Sequence, residues 1–585
     1  MVTEEAFSVA GVRVERDATA EMRDGTVLRA DIYRPRDEGD YPTLLMRVPY
    51  HKSVAQSVTY HHPSWYTRQG YVVIVQDCRG RHRSEGRFEP LRNEAHDGYD
   101  SVEWAARVPE SDGRVGMYGF SYAGATQLLA AAEQPPALIC CAPGFTASDY
   151  YDGWTYDKGA LNLGFIVSWV VQMLAIPEAL SMGETRVAEA IRRRILDFPE
   201  LYRERPLSEF SLLHDTRVAS YFFEWLRHDS RDHYWEEIGL DSRYDAITVP
   251  CLHIGGWYDI FSAGTVRNFS ALSRRASGDP GREQRLLMGP WMHMPWASKV
   301  GTKEFGPSAS NLVDEVQLRW FDYWLKDDGG EGLEGAPVTL FVGGEDRWHG
   351  VSSWPPEGTE VQEWFLHSDG KANSRSGDGI LSRDASEPQQ WPDVFVYDPG
   401  NPTPSAGGRS CCNALVAPMG PAPQDPVEVR NDVLIYTSDA LPDDVTATGQ
   451  VWLTLHASTS AVDTDWVARL VDVGREGQTL NVCQGIIRAR FRESLAEPAE
   501  LEPGRIYEYH VDLGPISWTF QAGHRFRIHV TSADFPTHDA NSNTGLPLRD
   551  VGPFDGVIAT QFIFHDERRP SRLSLPVMTG GIFGS

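Results

Sequence analysis

Residues 71–80, YVVIVQDCRG, run apolar without alternation, and the same character returns at RVGMYGF (114–120), ITVPCLHIGGWYD (247–259) and QRLLMGPWMH (284–293). Strands apolar on both faces belong in the middle of a parallel sheet covered by helices. Between them, DGTVLRADIYRP (24–35) reads as strands of a meander, YPTLLMRVPY (41–50) as a strand and HDGYDSVEWAARV (96–108) as a helix. This alternation predicts an α/β fold with a largely parallel sheet. From about residue 148 to residue 244 the rhythm stops. Aromatics (Tyr150, Tyr151, Trp154, Tyr156, Phe165, Trp169) and helix formers such as ETRVAEAIRRRIL take over, which predicts a helical insertion inside the α/β domain.

After WFDYWLKDDGGEGLEGAP, a helix and an acidic Gly-rich connection, the pattern changes again. VWLTLHA, WVARLVDV, IYEYHVDL and RFRIHVTS are short and partly alternating, with Gly and Pro between them, so an antiparallel β-sandwich is expected. The expected parts are therefore 1–147 and 245–352 for the α/β domain, 148–244 for the helical cap and 353–585 for the sandwich.

A chain of 585 residues has room for several cores, and 41% hydrophobic with 23% charged residues is an ordinary globular balance. A formal net charge of -28 excludes a nucleic-acid partner, because that field opposes phosphates. The start, MVTEEAFSVAGVRVERD, has no basic or apolar leader character, and no later run approaches the roughly 20 apolar residues of a membrane span. A cytoplasmic protein without a membrane partner is the expectation, and homo-oligomerisation stays open. Seven cysteines, with Cys140–Cys141 and Cys411–Cys412 adjacent and no C-x-x-C pair, read as buried thiols.

Ser121 follows the strand RVGMYGF and precedes the helix YAGATQLLAAAE. A serine on a strand-to-helix turn is lifted clear of the sheet, with helix N–H groups aimed at the space above it. The local motif is G-x-S-x-x-G, with Ala123 where the common elbow has its second glycine. A serine at a helix start is also the ordinary choice for a cap, so it needs partners. Asp259 follows the strand VPCLHIGG and His293 follows QRLLMG, giving the chain order Ser, Asp, His that a triad on this fold requires. His253 lies within a strand and reads as packed. In HDSRDHYW (228–235), His228 and His233 are five apart and share no helical face, so a solvated loop is expected and no metal. An oxyanion hole would draw on the Tyr122 backbone N–H and on the loop RVPYHKS, where Tyr50 reads either as a donor or as a packed aromatic.

The set MRDGTVLRADIYRP, RVPYHK, QDCRGRHRSEG, GMYGFSYAG, GGWYDIF, GPWMH, YDPGNPTPSAGG and SADFPTHDANSNTG resembles the cocaine esterase family of serine hydrolases, which also contains glutaryl-7-aminocephalosporanic acid acylases, α-amino acid ester hydrolases and Xaa-Pro dipeptidyl peptidases. The resemblance runs from near residue 20 to near residue 565. It implies an α/β-hydrolase domain interrupted by a helical cap, a C-terminal jelly roll, Ser121 as nucleophile, Asp259 as acid, His293 as base, and Tyr50 and Tyr122 as oxyanion donors. The early loop reads V-P-Y here where the family has N-P-Y, which keeps the tyrosine.

Three readings follow. The first is a carboxylic ester hydrolase for small esters or amides, needing no cofactor, with Trp154, Phe165 and Trp169 of the cap lining a hydrophobic or aromatic acyl pocket; these aromatics also suit plain core packing. The second is a dipeptidyl peptidase or amide acylase on the same triad, which would need an acidic anchor. The third is a binding protein whose sandwich would expose aromatics such as Trp452 and Trp518 in a row.

Overall fold

The computed structural model describes residues 7–9, 11–54, 59–195, 197–276, 282–293, 296–326, 333 and 335–579. The first six residues of the start, and most of the Gly-rich connection after residue 326, lie outside them.

Among the described residues, seven parallel strands lie side by side in the order Val72–Asp77, Tyr41–Val48, Ser111–Phe120, Leu138–Gly144, Cys251–Tyr258, Gln284–Met292 and Val338–Val342. Antiparallel strands extend both edges, Val12–Glu21 and Val27–Pro35 on one side and Arg347–Val351 on the other. Val72–Asp77 and Cys251–Tyr258 are buried at every position, which is why their sequences show no alternation. Val72 and Ile74 face a core shared with helices Glu94–Ala105 and Tyr122–Ala132; Val73 and Val75 face one shared with Pro63–Arg68 and Val313–Leu325. Burial of each such side chain stabilises by about 1.5–3 kcal/mol, so the two helical layers hold the sheet between them.

The inserted segment is mainly helical, with Leu163–Trp169, Thr185–Arg194 and Ser220–Arg227 among its helices and a small ribbon of Tyr156–Asp157 with Ala160–Leu161. Leu163–Trp169 continues through a π-helical stretch, Val170–Ala175, into Ile176–Ser181. Pro177 has no N–H for the carbonyl four residues back, and the wider π turn carries the chain past it. The Met173 carbonyl so freed, and that of Leu174, accept from the buried Arg81 guanidinium at 3.4 and 3.2 Å. The expectation that no apolar run nears membrane-spanning length is thereby corrected. Leu163–Ser181 is a 19-residue helix of mean hydropathy 1.7, long and apolar enough by composition, and 67% of its apolar window is buried inside the protein.

The C-terminal part is β-rich. Thr359–His367, Val445–Thr459, Asp465–Val473, Thr479–Arg488, Tyr507–Phe520 and Arg525–Thr531 belong to one connected sheet, and their core is continuous with α/β-domain residues such as Trp257, Leu286 and Phe341. Trp518 is buried in that core while Trp452 is part-exposed, so these two do not form an exposed row. The conspicuous motif SADFPTHDANSNTG ties this part to the insertion: the Asp539 carboxylate accepts from the Leu161 N–H at 2.7 Å and from Arg488 at 2.8 Å.

Two smaller expectations are corrected. Cys411 and Cys412 are joined by a disulfide, whereas Cys78, Cys140, Cys141, Cys251 and Cys483 are buried thiols. The stretch 228–235 ends in a helix, with His233–Glu236 forming a turn capped by Asp232. Its histidines are taken by carboxylates, His228 by Asp232 at 2.5 Å and His233 by Glu237 at 3.0 Å.

Candidate active site

Ser121 sits between the strand Ser111–Phe120 and the helix Tyr122–Ala132 with φ 62° and ψ −123°, the torsions of the first central residue of a type II′ turn. It occupies the N-cap position yet makes no side-chain cap bond. The bend is crowded: a Cβ on Gly119 would meet the Ala123 Cβ at 2.6 Å, and one on Gly124 would meet the Gly144 carbonyl oxygen at 2.6 Å. Ala123 is therefore accommodated because Gly119 faces it. The Gln127 side chain pins the bend, donating to the Gly119 and Ala123 carbonyls at 2.9 and 3.0 Å and accepting from the Ala142 N–H at 3.0 Å.

Cys251–Tyr258 and Gln284–Met292 pair in parallel register, so the residues just past their ends meet above the sheet. Asp259 and His293 are those residues. His293 Nε2 lies 3.0 Å from Ser121 Oγ, and its Nδ1 lies 2.7 Å from Asp259 Oδ1. Ser121, His293 and Asp259 are 5%, 3% and 0% exposed, so the three groups interact largely out of water. With Asp259 accepting from Nδ1–H, the imidazole presents a bare Nε2 to the serine hydroxyl, the tautomer a general base needs. His253 is buried in its strand 2.9 Å from Gln284, and burial pushes its pKa down to about 4.

Tyr50 lies at the end of the Tyr41–Val48 strand, where its hydroxyl oxygen accepts from Trp169 Nε1–H at 2.9 Å. Burial pushes the phenol up to about 12, against the hydrogen bond from Trp169 that holds it down. It is thus a neutral donor at any ordinary pH. Tyr122 directs its own hydroxyl away, to the Glu94 carboxylate at 2.8 Å, and Glu94 is paired with the buried Arg47 at 2.8 Å. Its backbone N–H opens the helix and has no intrahelical acceptor.

The expected pocket residues are buried together. Trp169 stacks on Phe165 (5.5 Å, 17°) and lies parallel to Trp225 (5.9 Å, 1°), with Trp154 edge-on at 5.4 Å. Trp154 in turn stacks on Phe261 (4.4 Å, 21°), and Phe261 stands edge-on to the His293 ring at 5.1 Å. Phe261 was not legible as a site residue, although its place two residues after Asp259 is a signal that could have found it. Phe120 and Phe145 also pack on the His293 ring, at 5.1 and 6.3 Å. Ser121 Oγ and His293 Nε2 thus meet beside a buried aromatic cluster, an arrangement in which the imidazole can take the serine proton.

The X-Pro dipeptidyl-peptidase (S15) family matches residues 24–295, and the X-Pro dipeptidyl-peptidase C-terminal non-catalytic domain matches residues 323–574. The cocaine esterase of Rhodococcus sp. (strain MB1 Bresler) is 34% identical over 570 residues, covering 95% of this chain and 97% of that one. Among solved structures, an α-amino acid ester hydrolase superposes with a TM-score of 0.80 at 25% identity, over 98% of this chain and 99% of that one. An aminopeptidase from a marine sediment Thaumarchaeota archaeon shares the fold, with a TM-score of 0.80 at 24% identity over 99% of both chains.

Proposed function

This chain belongs to the cocaine esterase family of serine hydrolases and acts on esters, and from that premise we propose that it cleaves small carboxylic esters of hydrophobic or aromatic acids through Ser121, His293 and Asp259. Ser121 Oγ attacks the carbonyl carbon while His293 Nε2 takes its proton. The oxyanion accepts from the Tyr50 hydroxyl and the Tyr122 N–H. The intermediate collapses, His293 returns the proton to the leaving alcohol, and the acyl group stays on Ser121. Water, losing its proton to the same nitrogen, then attacks the acyl-enzyme and releases the acid. Asp259 holds the tautomer throughout.

The observation that carries this reading is the placement of His293 within hydrogen-bond reach of both Ser121 Oγ and Asp259. The aromatic wall of Trp154, Phe165, Trp169 and Phe261 supports an apolar acyl group, since those side chains offer no charge to a free ammonium. The test is steady-state hydrolysis of an aryl benzoate, a glutaryl anilide and a glycyl-prolyl anilide by the wild type and by Ser121→Ala. The benzoate should be cleaved fastest, and the variant should be slower by several orders of magnitude. Preference for the glycyl-prolyl anilide would instead make the enzyme a dipeptidyl peptidase, and equal rates for the two proteins would reduce Ser121 to a turn residue.

A further inference from the structure

The hydrogen bond between Trp169 and Tyr50 crosses from the insertion to the α/β domain, and its direction matters. Indole Nε1–H can only donate, so the Tyr50 oxygen is the acceptor. A phenol hydroxyl lies near the plane of its ring with two orientations for its proton. With Trp169 approaching from one side, the proton is turned to the other, and the Trp169 ring lies 6.2 Å from the ring of Tyr122, the residue after Ser121, which sets the pair beside the Ser121 turn. Accepting one hydrogen bond also polarises the O–H and makes it a stronger donor to a developing oxyanion.

Trp169 has little freedom to depart from that geometry. Its ring is held between Phe165 and Trp225, and the helix that carries it is anchored just downstream, where Arg81 donates to the carbonyls of Met173 and Leu174. The same guanidinium donates through Nε to the carbonyl of Pro49 at 2.8 Å, the residue before Tyr50. One buried cation, 1% exposed and lying over the Phe88 ring, therefore spans the helix of the donor and the loop of the acceptor.

We propose that the insertion completes the oxyanion hole, with Trp169 as a positioning residue that aims and polarises the Tyr50 hydroxyl and Arg81 as the clamp that sets the distance between them. The inference rests on the reading of Tyr50 as an oxyanion donor. It assigns Trp169 a role separate from lining the acyl pocket, and the two roles make different demands. A pocket wall matters only to an acyl group that reaches it, whereas an aimed hydroxyl matters to every ester.

The test is a double-mutant cycle on kcat with p-nitrophenyl acetate and p-nitrophenyl benzoate, using wild type, Trp169→Phe, Tyr50→Phe and the double variant. Phenylalanine keeps the stack and removes the N–H. Trp169→Phe should lower kcat about tenfold on both esters with little change in KM, the scale of one lost hydrogen bond. In the Tyr50→Phe background the same substitution should cost less than about twofold. Equal cost in both backgrounds, or a loss confined to the benzoate, would overturn the proposal. Full activity in Tyr50→Phe itself would instead remove the oxyanion reading beneath it. Should Trp169→Phe lose its thermal unfolding transition, Arg81→Lys carries the same test, because one ammonium nitrogen cannot reach the three carbonyls that Nε, Nη1 and Nη2 of the guanidinium reach separately: its loss of kcat should likewise vanish without the Tyr50 hydroxyl, and a loss that persists there refutes the clamp.

Discussion

Replacing Ser121 by glycine should leave a more stable protein than replacing it by alanine. Both variants lose the nucleophile and its hydrogen bond with His293, so those terms cancel. What differs is the backbone. At φ 62° and ψ −123° an L-residue with a Cβ is strained by about 1–3 kcal/mol, and glycine is not. Against that gain stands the larger conformational freedom of glycine in the unfolded chain, which costs about 0.4–1 kcal/mol. The balance favours glycine by about 1 kcal/mol, or about 1–3 °C for a domain of this size. Scanning calorimetry of the two variants at one scan rate reads the shift directly. A Ser121→Ala protein that melts above Ser121→Gly would refute the argument that this turn stores strain to expose its hydroxyl.

Asp259→Asn should lower kcat about 10⁴-fold with the protein folded, because an amide can donate to Nδ1 and leave the proton on the nitrogen that must accept one; a near-wild-type rate would show that the tautomer is fixed elsewhere. Tyr50→Phe should lower kcat about 10²–10³-fold on any ester, read at saturating substrate. Gly124→Ala should destabilise by about 1–3 kcal/mol, since the new methyl meets the backbone carbonyl of Gly144, and an unshifted melt would mean that the turn can yield. His538 supplies a pH dependence. Burial disfavours its charge, but Asp157 of the insertion and Asp534 of the β-rich part, each with an oxygen at 3.7 Å, outweigh it and raise the imidazole to about 9. Its folded pKa lies above the ordinary value near 6.5, so the contribution is complete below pH 6.5 and is lost as pH rises through 9. The wild-type melting temperature should therefore fall between pH 7 and 9.5 more steeply than that of His538→Gln.

What the residues disclosed beforehand follows from how local each signal is. Continuous apolar runs such as YVVIVQD report burial on two faces, and a strand-to-helix junction reports a serine on a bend, so the sheet and the order of Ser121, Asp259 and His293 could be read along the chain. The bond from Trp169 to Tyr50 could not, since its partners stand 119 residues apart and either ring alone looks like core. Phe261 was hidden for the same reason, as an apolar residue at the head of helix Ser262–Ala276. Pro177 signals the end of a helix, and only the π turn with Arg81 at its carbonyls explains why Leu163–Ser181 continues. The Cys411–Cys412 disulfide was misread because adjacent cysteines bind no distant segments and so leave no trace of a scaffold.

The site also shows why the β-rich part cannot be treated as an appendage. The loop after Cys251–Tyr258 is tied to the C-terminal part by one backbone pairing and by side-chain hydrogen bonds. Asp259 forms a backbone bridge with Ser410, and the Tyr258 hydroxyl donates to the carbonyl of Asn481 at 3.1 Å. Arg409 joins the Ser262 hydroxyl at 3.3 Å to the carbonyls of Gln484 and Leu513. The loop of Asp259 is thus held by residues more than a hundred positions downstream, as Tyr50 is held by Trp169 of the insertion. A displacement of about 1 Å at such a group costs on the order of 10²-fold in rate. In the proposed mechanism each part of the chain therefore bears on the chemistry: the sheet through the bend at Ser121, the insertion through the Tyr50 hydroxyl and its aromatics, and the β-rich part through the carboxylate that orients His293.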